Sequence, residues 1–193
     1  GIEQLADRFS FIDKSKVGIF GHSGGGFMST AALCTYPDFY TAAVSSAGNH
    51  DNNIYNQWWG ETHHGVREVK SFEKKTVKDS ITGKDTTVSV EKIKFETKIP
   101  TNIELAKNLK GYLMLVTGDA DNNVHPANTL RMADALLKAG KNFDLVILPG
   151  QAHSFMGIQQ AFYQRKMWFH FAKHLLGDYS SDQFREIDTY MRL

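Results

Sequence analysis

The chain has 193 residues, of which 41% are hydrophobic and 22% charged, with a formal net charge of +1. This is material for one globular domain with a core, and the near-neutral balance points away from nucleic acid and membrane surfaces. A single cysteine, Cys34, excludes an internal disulfide framework; no apolar run nears the ~20 residues of a membrane span, and no stretch reads as a signal peptide.

In chain order, Ile2, Leu5, Ala6 and Phe9 fall at helical spacing, and Asp13-Lys14-Ser15-Lys16 makes a polar turn. Val17–Phe20 is a short continuous apolar run, the pattern of a strand buried on both faces. After the glycine-rich stretch GHSGGGF at 21–27, a helix fits Ser23–Tyr36, with Phe27, Met28, Ala31 and Ala32 as its apolar face and Pro37 as its stop. Ala42-Ala43-Val44 is the next strand. Val66–Lys98 then breaks the pattern. It is rich in lysine, threonine and valine, alternates from Thr87 to Phe95 and turns at Thr82-Gly83-Lys84-Asp85, which predicts an inserted two-stranded hairpin with one side solvated. Tyr112–Val116 is the clearest strand and Leu145–Leu148 the last. Between them lies a helix with Pro126 in its first turn, Leu130, Ala133 and Leu137 at helical spacing and Gly140 beyond its end. A final helix over Ile158–Leu176 carries Phe162, Trp168, Phe169, Ala172 and Leu176 and stops at Gly177, and the tail from Asp178 reads as a short peripheral helix. This β-α-β-α order predicts an α/β fold with a mostly parallel sheet covered by helices. Functional residues belong in loops beyond the carboxyl ends of its strands.

Glycine costs a strand or helix roughly 0.5–1 kcal/mol relative to alanine, so the glycines from 18 to 26 need a cause. A Walker-type phosphate loop needs Lys-Ser or Lys-Thr after the glycines, where Phe27-Met28 stand. A dinucleotide fingerprint lacks its acidic residue about twenty positions on. The alternative is a nucleophile elbow, G-x-S-x-G, with Ser23 at its apex, as in the α/β-hydrolase fold. A serine hydroxyl needs a base, and the base needs an acid to hold its tautomer, in the chain order Ser, Asp or Glu, His. The strand at Tyr112–Val116 is followed by TGDADNNVHP, which offers Asp119 and Asp121, and the strand at Leu145–Leu148 by PGQAHSF, which offers His153. Type, order and placement agree. Gly21 and Gly25 then let strand and helix approach around the serine, and the Gly24 N–H can face an oxyanion.

GHSGGGF, GDADNNVH and GQAHSF together resemble the catalytic domain of the prolyl oligopeptidase family of serine peptidases, nearest its dipeptidyl peptidase IV-like branch. The resemblance covers most of the chain apart from the hairpin at 66–98. It implies an α/β-hydrolase fold, helices on both faces of the sheet, and a pattern G-x-x-D-x-N-V-H that selects Asp121 over Asp119. It also implies Asn123 as a contact to the substrate backbone, with Val124, Tyr55 and Trp59 lining the pocket for the residue before the scissile bond. The family commonly has tyrosine after the nucleophile where this chain has Gly24, which opens that pocket wall. The first strands, an upstream oxyanion tyrosine and the β-propeller of the family have no counterpart here. The resemblance therefore places the chain in the C-terminal part of a catalytic domain and is compatible with a periplasmic or secreted full-length protein.

The expected activity is serine-type hydrolysis of oligopeptides near their amino end, with proline or alanine tolerated at the cut and no cofactor. An esterase or acylaminoacyl peptidase on the same fold, or a non-catalytic hydrolase-like module, are the alternatives. The expected partners are a peptide substrate and a second copy of the chain, without nucleic acid or a membrane span. Of the remaining histidines, His22 packs beside the elbow, His125 supports the Asp121 loop, and His63-His64 is a loop pair without further metal ligands. His170 and His174, at i and i+4 with no acid near in sequence, are expected to be partly exposed or capping, so no metal site is expected. Cys34 is expected to be buried packing.

Overall fold

The computed structural model describes residues 1–96 and 101–180; the tail expected to be helical beyond them lies outside the described residues. The described chain divides into two compact units, one made of Gly1–Asp51 and the chain from residue 101 on, the other of the segment from Asn52 into the nineties.

The first unit is built on four parallel strands in the order β1 (Gly18–His22), β2 (Ala42–Ser46), β5 (Tyr112–Gly118), β6 (Asp144–Leu148). The pairings Phe20↔Val44↔Met114↔Asp144 run straight across it. Side chains alternate across the sheet with period two, which sorts the core into two layers. Ala43, Leu113 and Leu115 face one side, with Leu33 and Cys34 of α2 (Gly24–Thr35) and Met132 and Leu136 of α5 (Ala127–Lys138). Val44, Met114 and Val116 face the other, with Tyr163 and Met167 of α6 (Gly157–Phe171). The sheet is thus a layer between helices, as expected of an α/β-hydrolase fold. α1 (Ile2–Arg8) precedes β1, a π-helical turn at Ala172–Leu176 extends α6, and a short helix α4 (Asn102–Leu105) leads into a 3-10 turn at Ala106–Asn108.

Several expectations are corrected here. β1 is not buried on both faces: Phe20 is 61% exposed, because β1 has a sheet neighbour on one side only among the described residues. α2 buries Gly26, Ser29, Thr30, Leu33 and Cys34 and leaves Met28 exposed, so its inner face is small and partly polar instead of the stripe at Phe27 to Ala32. α5 buries Thr129, Met132, Ala133 and Leu136, which turns Leu130 and Leu137 outward.

The second unit contains α3 (Gln57–His64) and an antiparallel hairpin of β3 (Arg67–Lys78) and β4 (Asp85–Glu96), turning over Asp79–Lys84. The hairpin stands where the sequence puts it, but every residue of β4 is exposed, so both its faces are solvated and not one. His63 and His64 close the last turn of α3 and do not form a loop pair. Among the described residues no helix is long and apolar enough to cross a membrane.

Candidate active site

Ser23 sits between the last residue of β1 and the first of α2 with φ 59° and ψ −122°, a left-handed backbone that a residue with a Cβ adopts only under constraint. The constraint is visible. Its N–H donates to Ser46 O at the end of β2 (2.9 Å) while its own carbonyl accepts the Phe27 N–H (3.0 Å). A Cβ at Gly21 would collide with the Gly25 backbone, and one at Gly26 would lie 2.6 Å from Ser46 O. At Gly25 itself a Cβ would meet nothing, so the residues that need to lack a side chain are Gly21 and Gly26, not Gly21 and Gly25.

The loops after β5 and β6 meet this turn. His153 Nδ1 donates to Asp121 Oδ2 (2.8 Å), and that bond leaves Nε2 as the acceptor for the Ser23 hydroxyl (2.9 Å). The other Asp121 oxygen accepts the N–H groups of Asn123 and Val124, each at 2.9 Å, so this buried carboxylate is held on both oxygens. Asp119 plays a separate part, since its Oδ1 accepts the Gly150 N–H at 2.6 Å and ties the two loops together. His125 caps the first turn of α5 by accepting the Ala127 N–H.

Beneath the elbow is a group that motif reading missed. Ser46 Oγ lies 2.8 Å from His22 Nδ1 and 3.3 Å from Gly21 O, and it accepts from the Tyr163 hydroxyl at 3.2 Å. The paired Ser45-Ser46 at the end of an apolar strand was the only hint of it in the sequence. The His22 ring is 4.8 Å from that of His153. Burial, and then the charge of His153, push the His22 imidazole below its ordinary range. Burial also pushes the Cys34 thiol up to about 11, and it is no nucleophile at neutral pH.

Asn123 and Val124 stand beside Asp121, with Val124 1% exposed. Tyr55 and Trp59 belong to the second unit, where their rings meet edge to face at 6.2 Å and Trp59 lies 4.0 Å from His63. His170 corrects an expectation: it is 5% exposed and faces an acid, Asp144, that comes from β6 and not from its own helix.

Known proteins share this arrangement of chain. Human dipeptidyl peptidase 8 is 29% identical over 154 residues, covering 80% of this chain and 15% of its own length. Venom dipeptidyl peptidase 4 of Vespula vulgaris is 26% identical over 156 residues, with 80% and 18% covered. Among solved structures, a putative dipeptidyl aminopeptidase IV from Bacteroides ovatus superposes with a TM-score of 0.69 at 25% identity, over 91% of this chain and 21% of that one. Dipeptidyl peptidase 4 of Porphyromonas gingivalis gives 0.65 at 26% identity, over 87% and 21%. The chain thus spans about a fifth or less of these relatives. The model of the prolyl oligopeptidase family matches residues 1–179, nearly the whole described chain, and the chain belongs to that family.

Proposed function

We propose that Ser23, His153 and Asp121 form a catalytic triad that hydrolyses peptide bonds near the amino end of oligopeptides. The observation that carries this reading is the continuous line Ser23 Oγ, His153 Nε2, His153 Nδ1, Asp121 Oδ2, with spacings of 2.9 and 2.8 Å. His153 takes the Ser23 proton as Oγ bonds to the peptide carbonyl carbon and the carbonyl electron pair moves to oxygen. Collapse of that intermediate expels the amine, which leaves with the proton from His153, and water then cleaves the acyl-enzyme by the same route. Asp121 fixes the tautomer and balances the imidazolium. The Gly24 N–H, a leading amide of α2, donates to the developing oxyanion. These steps balance without a cofactor.

For the substrate, we assign Asn123 to the peptide backbone, Val124 to the pocket before the cut and, within the second unit, Tyr55 and Trp59 to substrate binding, a reading supported by the family resemblance and by the dipeptidyl peptidase names of the relatives. Gly24 leaves that pocket open, so proline or alanine is accepted but not required. The relatives' greater length supports a longer working enzyme, to which the family resemblance adds an amino-terminal β-propeller, and the edge of β1 left open among the described residues supports pairing of the 193-residue chain with a second copy.

Labelling of the full-length enzyme with a serine-directed fluorophosphonate, beside Ser23→Ala, tests the nucleophile. Label on the wild type alone is expected, and equal labelling of both removes the assignment. Reporter peptides with X-Pro, X-Ala and X-Leu ends test the substrate. Brisk ester hydrolysis without cleavage of any peptide overturns the peptidase reading in favour of an esterase.

A further inference from the structure

At the amino ends of the strands, on the opposite rim from Ser23, three side chains converge. Asp144 opens β6, His170 lies at the end of α6, and His174 follows one turn on in the π-helical segment. One ligand atom from each lies within 4.8 Å of the others. His170 is buried, and its Nε2 is 3.2 Å from the carbonyl oxygen of Tyr112, the first residue of β5. An imidazole that donates its Nε2–H to a main-chain carbonyl has its tautomer fixed, with the Nδ1 lone pair on the far side. Metal-bound histidines are oriented by such a bond. Here Nδ1 points to Asp144 Oδ2 at 3.5 Å. That is long for a hydrogen bond, but close to the ~3.3 Å between adjacent corners of a tetrahedron with metal–ligand bonds of about 2.0–2.1 Å. The His174 ring is held by stacking on Tyr112, with centroids 3.8 Å apart and planes at 16°.

The surroundings admit an ion. An open cavity of about 520 Å³ lies over the cluster, lined by Asp144, Lys166, Phe169, His170, Lys173 and His174. The two lysines oppose a cation, but each ammonium lies over an aromatic ring, Lys173 over Tyr179 at 5.9 Å and Lys166 over Phe162 at 6.0 Å. Two imidazoles and a carboxylate suit a borderline transition metal such as zinc far better than magnesium or calcium, which prefer oxygen alone.

We propose that Asp144, His170 and His174 form a three-ligand zinc site that clamps the end of α6 to the edge strand β6. Its fourth position faces the cavity and is filled by water. Binding replaces any proton shared between His170 Nδ1 and Asp144 and releases it to solvent. Because the triad occupies the other end of the strands, the clamp acts on the fold and takes no part in acyl transfer.

The test is calorimetric titration of the untagged, chelator-treated full chain with zinc and, separately, magnesium, combined with thermal unfolding. One zinc per chain, a raised midpoint and no response to magnesium are expected. His174→Ala and Asp144→Asn should each weaken binding at least tenfold, whereas Ser23→Ala and the paired His63→Ala, His64→Ala variant should leave it unchanged. Lys173→Gln should bind as well or more tightly. The site is refuted by no zinc binding at 100 μM, or by binding that survives His174→Ala and Asp144→Asn together.

Discussion

Asp119 and Asp121 stand on one loop, two positions apart, and accept from different partners: Asp119 from the Gly150 main chain, Asp121 from His153 and two amides of its own turn. Replacing each by asparagine should separate them. At Asp121 the amide cannot accept from His153 and hold two amides as the carboxylate does, and the imidazole turns to the wrong tautomer; a loss of about 10⁴ in kcat is expected. Asn at 119 keeps an oxygen for Gly150, so its loss should stay within about tenfold. Steady-state kinetics of the two full-length variants decide it, and reversed effects would move the acid to Asp119. His50 allows a second prediction at this scale. It is wholly buried between Ser45 and Asn102, and burial pushes its pKa down to about 3 from an ordinary 6.5. Between those values the unfolded chain holds a proton that the native chain refuses, so this contribution is fully present above pH 6.5 and is lost as pH falls. The slope approaches about 1.4 kcal/mol per pH unit. Urea unfolding from pH 7 to pH 4 should show it, and His50→Asn, which keeps an acceptor for Asn102, should flatten it by about one proton.

At the scale of the elements, the contact between α2 and β2 sets the geometry of the elbow. Gly26→Ala drives a Cβ against Ser46 O, the same carbonyl that holds the Ser23 N–H. A loss of about 1–3 kcal/mol is expected, with kcat falling as Ser23 shifts. Gly25→Ala, in open space inside a helix, should be neutral or stabilising by up to about 1 kcal/mol. Melting curves and kinetics on both variants are the check; equal damage would mean that the elbow is not packed as described. The motif alone predicts the reverse, since Gly25 and not Gly26 belongs to G-x-S-x-G. The same boundary runs through the rest of the chain. The strands, the elbow and the loops bearing Asp121 and His153 were legible because strand runs and loop punctuation are local signals. The inner face of α2 was not, because close packing on a sheet selects small residues such as Gly26 and Ser29, which carry no hydrophobic signal, and that of α5 was not, because leucines stand on both its faces, Leu136 inward and Leu130 and Leu137 outward. Nor was the Asp144–His170 pair, whose partners meet only once β6 and α6 have packed.

At the scale of the molecule, the sheet of the described residues ends on one side at β1. Gly18–His22 bonds only to β2 among the described residues, and Phe20, Ile2, Leu5 and Phe11 are exposed near this end of the chain. An open, apolar strand edge recruits another chain. Size-exclusion chromatography with light scattering should therefore find a concentration-dependent dimer. Phe20→Lys, which places a charge on that strand, should shift it to monomer; a wild-type monomer at all concentrations would remove the second copy from the partners.

In chain order the second unit interrupts the path between two strands that pair in the sheet, since β2 ends at Ser46 and its partner β5 begins at Tyr112. Before those strands can pair, the intervening chain must close as a loop, and the entropy of closure grows only with the logarithm of its length. The β3–β4 ladder joins Arg67 to Glu96 through contacts that are local in sequence, and hairpins of this kind form in microseconds. Once formed, the hairpin bypasses nearly half of the residues between Ser46 and Tyr112, and each halving of a loop recovers only about 0.6 kcal/mol. The folding rate should therefore change by no more than a few fold whether the hairpin is long, short or absent. An excursion of this size can persist between two paired strands because assembly of the sheet scarcely registers it.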